Sequence, residues 1–153
     1  MRALAAIVFA GMMALAAPAT ASDHGTRAEA VAMVKRVQAE FKKAGAEATF
    51  KEVDDKSVKT FHDRDLYPFI YDLNGVCVAH GAKSVLVGKN LLDLKDPDGK
   101  YLIREMVKLA KGPGQGWVDY KWPNPITNKI EDKSSYVEKL GDKYFVGVGV
   151  YKE

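Results

Sequence analysis

Two glycine-containing turns constrain this chain more than any other feature. Asn74-Gly75 separates an aromatic and branched run at residues 66–72 from an apolar run at residues 76–80. Paired turn residues that both take positive φ are the strongest short-range signal for a hairpin. Leu140-Gly141-Asp142-Lys143 stands in the same way between residues 134–139 and 144–151. Hairpins join neighbouring strands antiparallel, so these four strands cannot come from regular β-α-β alternation. A fifth strand is predicted over residues 116–122, where Trp117, Tyr120 and Trp122 follow a glycine break.

Helical segments are predicted before and between the strands. Thr26-Arg27-Ala28-Glu29 is a capping-box pattern, in which hydroxyl and carboxylate satisfy free backbone N–H groups. Ala30, Val34, Val37, Phe41 and Ala44 then repeat at helical spacing for about five turns, and Gly45 supplies the stop. A shorter helix is expected over residues 47–53. A third carries the stripe Leu102, Met106, Leu109 and Ala110, with Asp96 or Asp98 expected to cap it and Gly112-Pro113-Gly114 to end it. The order helix, helix, strand, strand, helix and three strands predicts an α+β fold, a five-stranded antiparallel sheet with helices segregated to its faces.

The first 21 residues read as a leader. Arg2 precedes an almost wholly apolar run of about fifteen residues, and Ala19-Thr20-Ala21 is a small-x-small cleavage site. A bilayer span needs roughly 20 residues, so export with cleavage after Ala21 is expected, a retained anchor being the alternative. Residues 22–153 then form one domain, long enough for a core of its own. Losing Arg2 leaves 22 basic and 20 acidic residues, a net charge of +2, mixed along the chain. That excludes the basic stripe of a nucleic-acid surface. No second apolar stretch reaches membrane length, which predicts a soluble mature chain. The single cysteine, Cys77, has no partner for a disulfide and sits in an apolar strand, which predicts a buried, inert thiol.

Signals for catalysis are absent. No HExxH, CxxC, CxxCH, GxSxG or P-loop pattern occurs, so no metal, cofactor or catalytic residue is expected. His24 is near the mature start, His62 lies among loop carboxylates and His80 ends a strand. Asp93, Asp96, Asp98 and Gly99 lack the alternation and distal glutamate of a calcium loop and are read as turn and cap residues. A small-ligand pocket is the remaining possibility. Period-two spacing puts Val118, Tyr120 and Trp122 on one face, as it does Phe69 with Tyr71 and Val78 with His80. Lys133, close in sequence to the hydroxyls of Ser135 and Tyr136, would serve a small carboxylate against those apolar walls.

These residues also carry a family resemblance. Asp72-Leu73-Asn74-Gly75, Ala79-His80, Gly88-Lys89-Asn90-Leu91, Asp96-Pro97-Asp98-Gly99-Lys100, residues 118–123, Lys133-Ser134-Ser135-Tyr136-Val137 and residues 147–151 follow one another as in the single Cache domain, sCache_2 type. The chain resembles that family over residues 66–151, and its long first helix fits as well. The resemblance implies a PAS-like sheet with the N-terminal helix on one face and a small-molecule pocket on the other, outside the inner membrane. It implies a small organic acid or similar metabolite as ligand, held by Tyr71, His80, Tyr120, Trp122, Lys133 and Tyr136, and a membrane sensor protein as partner. Lys143-Tyr144-Phe145 stands where the family often shows tryptophans. After Glu153 no second membrane segment or signalling module follows in this sequence, so sensing is expected here and signalling elsewhere. An interaction module with a solidly filled sheet, or an exported enzyme, are the competing readings.

Overall fold

A computed structural model describes residues 22–152; the predicted leader lies outside them. The elements are helix α1 (Arg27–Asp54), strands β1 (Pro68–Asp72) and β2 (Cys77–His80), a 3-10 turn at Ser84–Leu86, helix α2 (Leu102–Lys111), and strands β3 (Gln115–Pro123), β4 (Ile130–Leu140) and β5 (Tyr144–Tyr151). The sheet order is β2-β1-β5-β4-β3, antiparallel throughout. This is the predicted α+β architecture.

Helix α1 begins as its sequence dictates. Glu29 N–H donates to Thr26 Oγ1 at 3.2 Å, and Thr26 N–H donates to Glu29 Oε2 at 2.8 Å. Gly45 takes φ 82° and breaks the helical path inside it, so the expected stop and second helix are both present. The stripe of Ala30, Met33, Val34 and Val37 packs on Ile70, Ala79, Val146 and Val148 of one sheet face. Helix α2 lays Leu102, Ile103, Met106, Val107 and Ala110 against the other.

Three local expectations are corrected. Only Gly75 has positive φ in the first turn, and Asn74 does not. Asp72 and Val76 bracket a three-residue loop there, with Asp72 Oδ1 accepting from Asn74 N–H and Val76 N–H at 2.9 and 2.8 Å. Neither Asp96 nor Asp98 caps α2, whose N-cap is Tyr101. Asp96 instead gathers the amides of Asp98, Lys100 and Lys121 at 3.0, 2.9 and 3.1 Å, pinning the loop before α2 to β3. Burial opposes its charge, but those amides hold its carboxyl below the ordinary range. Val78 and His80 do not share a face. The β1–β2 register slips between Ile70 and Tyr71, so Cys77 and His80 both turn toward α2 while Val78 packs with the α1 side.

Candidate functional site

The face under α2 is where polar groups are gathered. Alternation brings Phe69 and Tyr71 from β1, Val118, Tyr120 and Trp122 from β3, and Val137 from β4 to this side. Register carries Lys133 with them, since it sits directly between Tyr120 on β3 and Tyr151 on β5. Strand β5 contributes Gly147 and Gly149 to the same face. A Cβ at Gly147 would overlap the Phe69 ring, and one at Gly149 would overlap Ser135 Oγ and the Lys133 stem. The two glycines form a trough in which the phenyl ring and the lysine chain lie flat on the sheet.

Lys133 is 1% exposed. Its Nζ donates to Tyr67 Oη at 2.7 Å and to Tyr151 Oη at 3.4 Å, and it lies 4.0 and 4.7 Å from those two ring centroids. The two phenol oxygens are 3.1 Å apart, and Tyr151 donates onward to the Pro123 carbonyl at 2.8 Å. Among the described residues no carboxylate pairs with Lys133. Burial brings its ammonium down to about 7, with the charge of Asp65 acting weakly the other way. Asp65 is itself buried, accepting from Gly25 N–H at 2.7 Å and bonded to His24 Nδ1 at 3.1 Å.

His80 is held from two sides. Its backbone N–H donates to Asp54 Oδ1 at the end of α1 at 2.7 Å. Its Nδ1 accepts from the amides of Ala82 and Lys83 at 3.2 and 3.0 Å. An imidazole accepting at Nδ1 is neutral and carries its proton on Nε2, so the ring presents one donor. Burial, then the Lys133 charge, bring its pKa down to about 3. The ring lies among Tyr67, Phe69 and Trp122, with centroids 5.4, 6.2 and 6.3 Å away.

Phe69, Tyr71, His80, Leu102, Ile103, Met106, Tyr120 and Trp122 enclose a cavity of about 10 Å³, room for roughly one water. Lys133 lines an adjoining open depression of about 220 Å³, and Tyr120 lines both. Tyr120 Oη is 2.8 Å from Ser135 Oγ.

Of the six residues singled out in the sequence, Tyr71, His80, Tyr120 and Trp122 meet at one cavity and Lys133 lies beside it. Tyr136 does not join them. One position from Ser135 on an extended strand, it points to the α1 side, packs at a tilt on Trp117 with ring centroids 5.5 Å apart, and places its hydroxyl within donating reach of Gln115 Oε1 and Glu138 Oε2. The hydroxyls that hold Lys133 belong to Tyr67 and Tyr151. Both were within reach of period-two reasoning, Tyr67 two residues before Phe69 and Tyr151 two after Gly149. Cys77 is buried on the same side, and burial pushes its thiol up to about 11.

The family model for the Cache domain, in its dCache_2 form, matches residues 26–153. The chain belongs to the Cache domain family. This Cache domain is 40% identical over 119 residues to the sensor histidine kinase MctS of Rhizobium johnstonii, covering 75% of the chain and 25% of that protein. It is 35% identical over 91 residues to the methyl-accepting chemotaxis protein McpP of Pseudomonas putida, covering 59% and 17%. The chain thus spans a quarter or less of the length of these curated relatives. Its fold superposes on a methyl-accepting chemotaxis protein structure from Vibrio parahaemolyticus with a TM-score of 0.67, at 28% identity, covering 82% of this chain and 87% of the other. It superposes equally well in coverage, 82% and 88%, on a Cache chemosensory domain solved to explain carboxylic acid recognition, at 28% identity and a TM-score of 0.64. The chain is a sensory Cache domain, homologous to the sensor domains of chemoreceptors and histidine kinases.

Proposed function

We propose that this domain is exported and binds a small carboxylic acid reversibly, without chemical change, for signalling or solute capture. The observation that carries the reading is Lys133: a buried lysine held by phenol hydroxyls, with no carboxylate paired to it among the described residues. Such a group is costly in an apolar setting, and a carboxylate offsets that cost while accepting charge-assisted hydrogen bonds. The Nε2–H of His80 supplies a further donor nearby, and the aromatic cavity beneath α2 receives the apolar end of the ligand. The small volume of that cavity favours a ligand of few heavy atoms, seated as Leu102, Ile103 and Met106 give way. A neighbouring Cache structure is named for carboxylic acid recognition, which supports the same class.

The leader with Ala19-Thr20-Ala21 supports export, and N-terminal sequencing of the exported protein should return Ser22. Met1 recovered from a membrane fraction would mean an anchored domain. The partner in this reading is a membrane sensor protein that takes up the signal. The near-filled cavity favours one other reading, a module whose sheet serves a protein partner alone. Thermal-shift screening of acetate, propionate, lactate and pyruvate separates the two. An acid at 100 times its Kd stabilises the native state by about 2.7 kcal/mol. Lys133→Ala should abolish the shift and keep the fold. If no acid stabilises the wild type, or Lys133→Ala responds as well as wild type, the interaction module is the better reading.

A further inference from the structure

We infer that carboxylate capture at this site takes up one proton, which Lys133 carries, so that the domain reads acid concentration and pH together. The inference rests on the anion-pocket reading and specifies how that pocket is regulated.

The hydrogen bonds around Lys133 can be arranged to suit two protonation states. Its partners are phenols, which can either donate or accept. With a neutral amine, Tyr67 donates to Nζ, Nζ donates to Tyr151, and Tyr151 donates to the Pro123 carbonyl. With an ammonium, Nζ donates to both phenols, and Tyr67 donates to Tyr151 across their 3.1 Å contact. Only hydroxyl rotation separates the two states. In the charged state two ammonium protons are spent on the phenols and a third is left, one donor for a ligand oxygen. The protein supplies the switch and the ligand supplies the counter-charge.

The groups facing Lys133 from each neighbouring element leave that counter-charge to the ligand. From β3 comes Tyr120 and from β5 Tyr151, both phenols whose ionisation burial makes harder. From the segment before β1 come Tyr67, likewise raised by burial, and Asp65, whose two oxygens are taken by Gly25 and His24. From β2 comes His80, neutral with its Nδ1 occupied. Helix α2 turns only apolar side chains to this face. The open depression beside Lys133 is also lined by Asp96, Asp98, Asp119 and Asp132 with Lys100, Lys121 and Lys152. Asp96 is held by backbone amides, Lys152 reaches Asp119, and Lys121 is shared between Asp98 and Asp132, with no ion pair from any of them to Lys133 among the described residues. Burial therefore sets the balance, and the amine begins to lose its proton near neutrality. A bound carboxylate reverses this by pairing with the ammonium, and the proton needed comes from solvent: anion, proton and neutral amine go in, and an ammonium–carboxylate pair results.

The sign follows by linkage. Below pH 7 the amine is already charged, and binding takes up no proton. Above pH 7 each capture takes up one, so Kd rises about tenfold per pH unit. The test is calorimetric titration of the purified exported protein with propionate at pH 6.0 and 8.5, each in two buffers of different ionisation enthalpy. The expected result is an uptake near zero at pH 6.0 and near one proton per ligand at pH 8.5, with Kd more than tenfold weaker at the higher pH. Lys133→Arg keeps its charge throughout, and where it binds, its Kd should be flat across this range. Measurable wild-type binding with no proton uptake at pH 8.5 overturns the coupling and leaves the anion pocket standing. Uptake that survives in Lys133→Arg but vanishes in His80→Gln overturns the assignment to Lys133. If propionate and the other acids give no heat and no thermal shift at either pH, the pocket reading and the coupling fall together.

Discussion

On the side covered by α1, strand β5 presents Val146, Val148 and Val150, and these meet Met33, Val34 and Val37 in an aliphatic layer. On its other side the same strand presents Phe145, Gly147, Gly149 and Tyr151, and these meet a lysine, a histidine, phenols and a thiol. Both faces are buried, so hydrophobic burial alone does not separate them. The difference lies in what each face does with its polar atoms. The α1 layer leaves them to the helix ends and the rim. The α2 layer buries titratable groups among hydrogen-bond partners, although Lys133 finds no counter-ion among the described residues. A sheet face that only needed filling would not carry that cost.

The comparison is sharpest where the two faces are expected to answer substitution in opposite ways. Ile70→Ala opens a hole in the aliphatic layer and should cost about 2–5 kcal/mol in urea unfolding, while the folded fraction responds to acids like wild type. Lys133→Met should do the reverse, stabilising by about 1–3 kcal/mol at pH 6 while removing the acid response. This gain has a defined pH window. The unfolded lysine keeps its proton up to 10.5, whereas the native one releases it from about 7. Wild-type stability therefore rises with pH between those values, and the advantage of Lys133→Met should shrink across them. A constant advantage from pH 6 to 10 would show that Lys133 is not desolvated as described.

His80 gives a second window on the acid side. Its native ring refuses the proton down to about 3, while the unfolded chain takes it up near 6.5. Stability is lost as pH falls through that range, at about 1.4 kcal/mol per pH unit from this group. His80→Gln should flatten that limb in acid-unfolding curves, and an unchanged slope would count against a neutral, buried ring. Tyr136→Phe should cost only about 0.5–1.5 kcal/mol, the loss of a hydrogen-bonding hydroxyl, and leave the acid-induced shift untouched. A lost shift would put Tyr136 back in the site despite its position on the α1 side. The smallest signal is expected from Cys77: thiol reagents should label it only after denaturant is added, since it is buried with a raised pKa.

The chain's own pattern was enough for the frame. A capping box, a glycine stop and two glycine hairpins are local devices whose geometry depends on a few adjacent residues, and each led to an element that is present. Periodicity also reaches far into the site: it puts Tyr120 and Trp122 on one face of their strand and Tyr71 with Phe69 on one face of theirs. Periodicity failed where one inserted residue changes the count. The register slip in β2 reversed Val78 relative to His80, and nothing local marks it because Val76, Val78 and Ala79 are equally apolar. Asp96 departs from its local pattern for a related reason. A carboxylate before a helix looks like a cap, and only the fold brings the Lys121 amide of a distant strand within its reach. Lys133 is the clearest case of what tertiary structure decides. Its sequence neighbours suggested Ser135 and Tyr136 as its hydroxyls, yet its partners are 66 residues before it and 18 after it. Sheet order sets side by side what the chain keeps apart, and burial, which no single strand possesses alone, turns an ordinary lysine into one that titrates near neutrality.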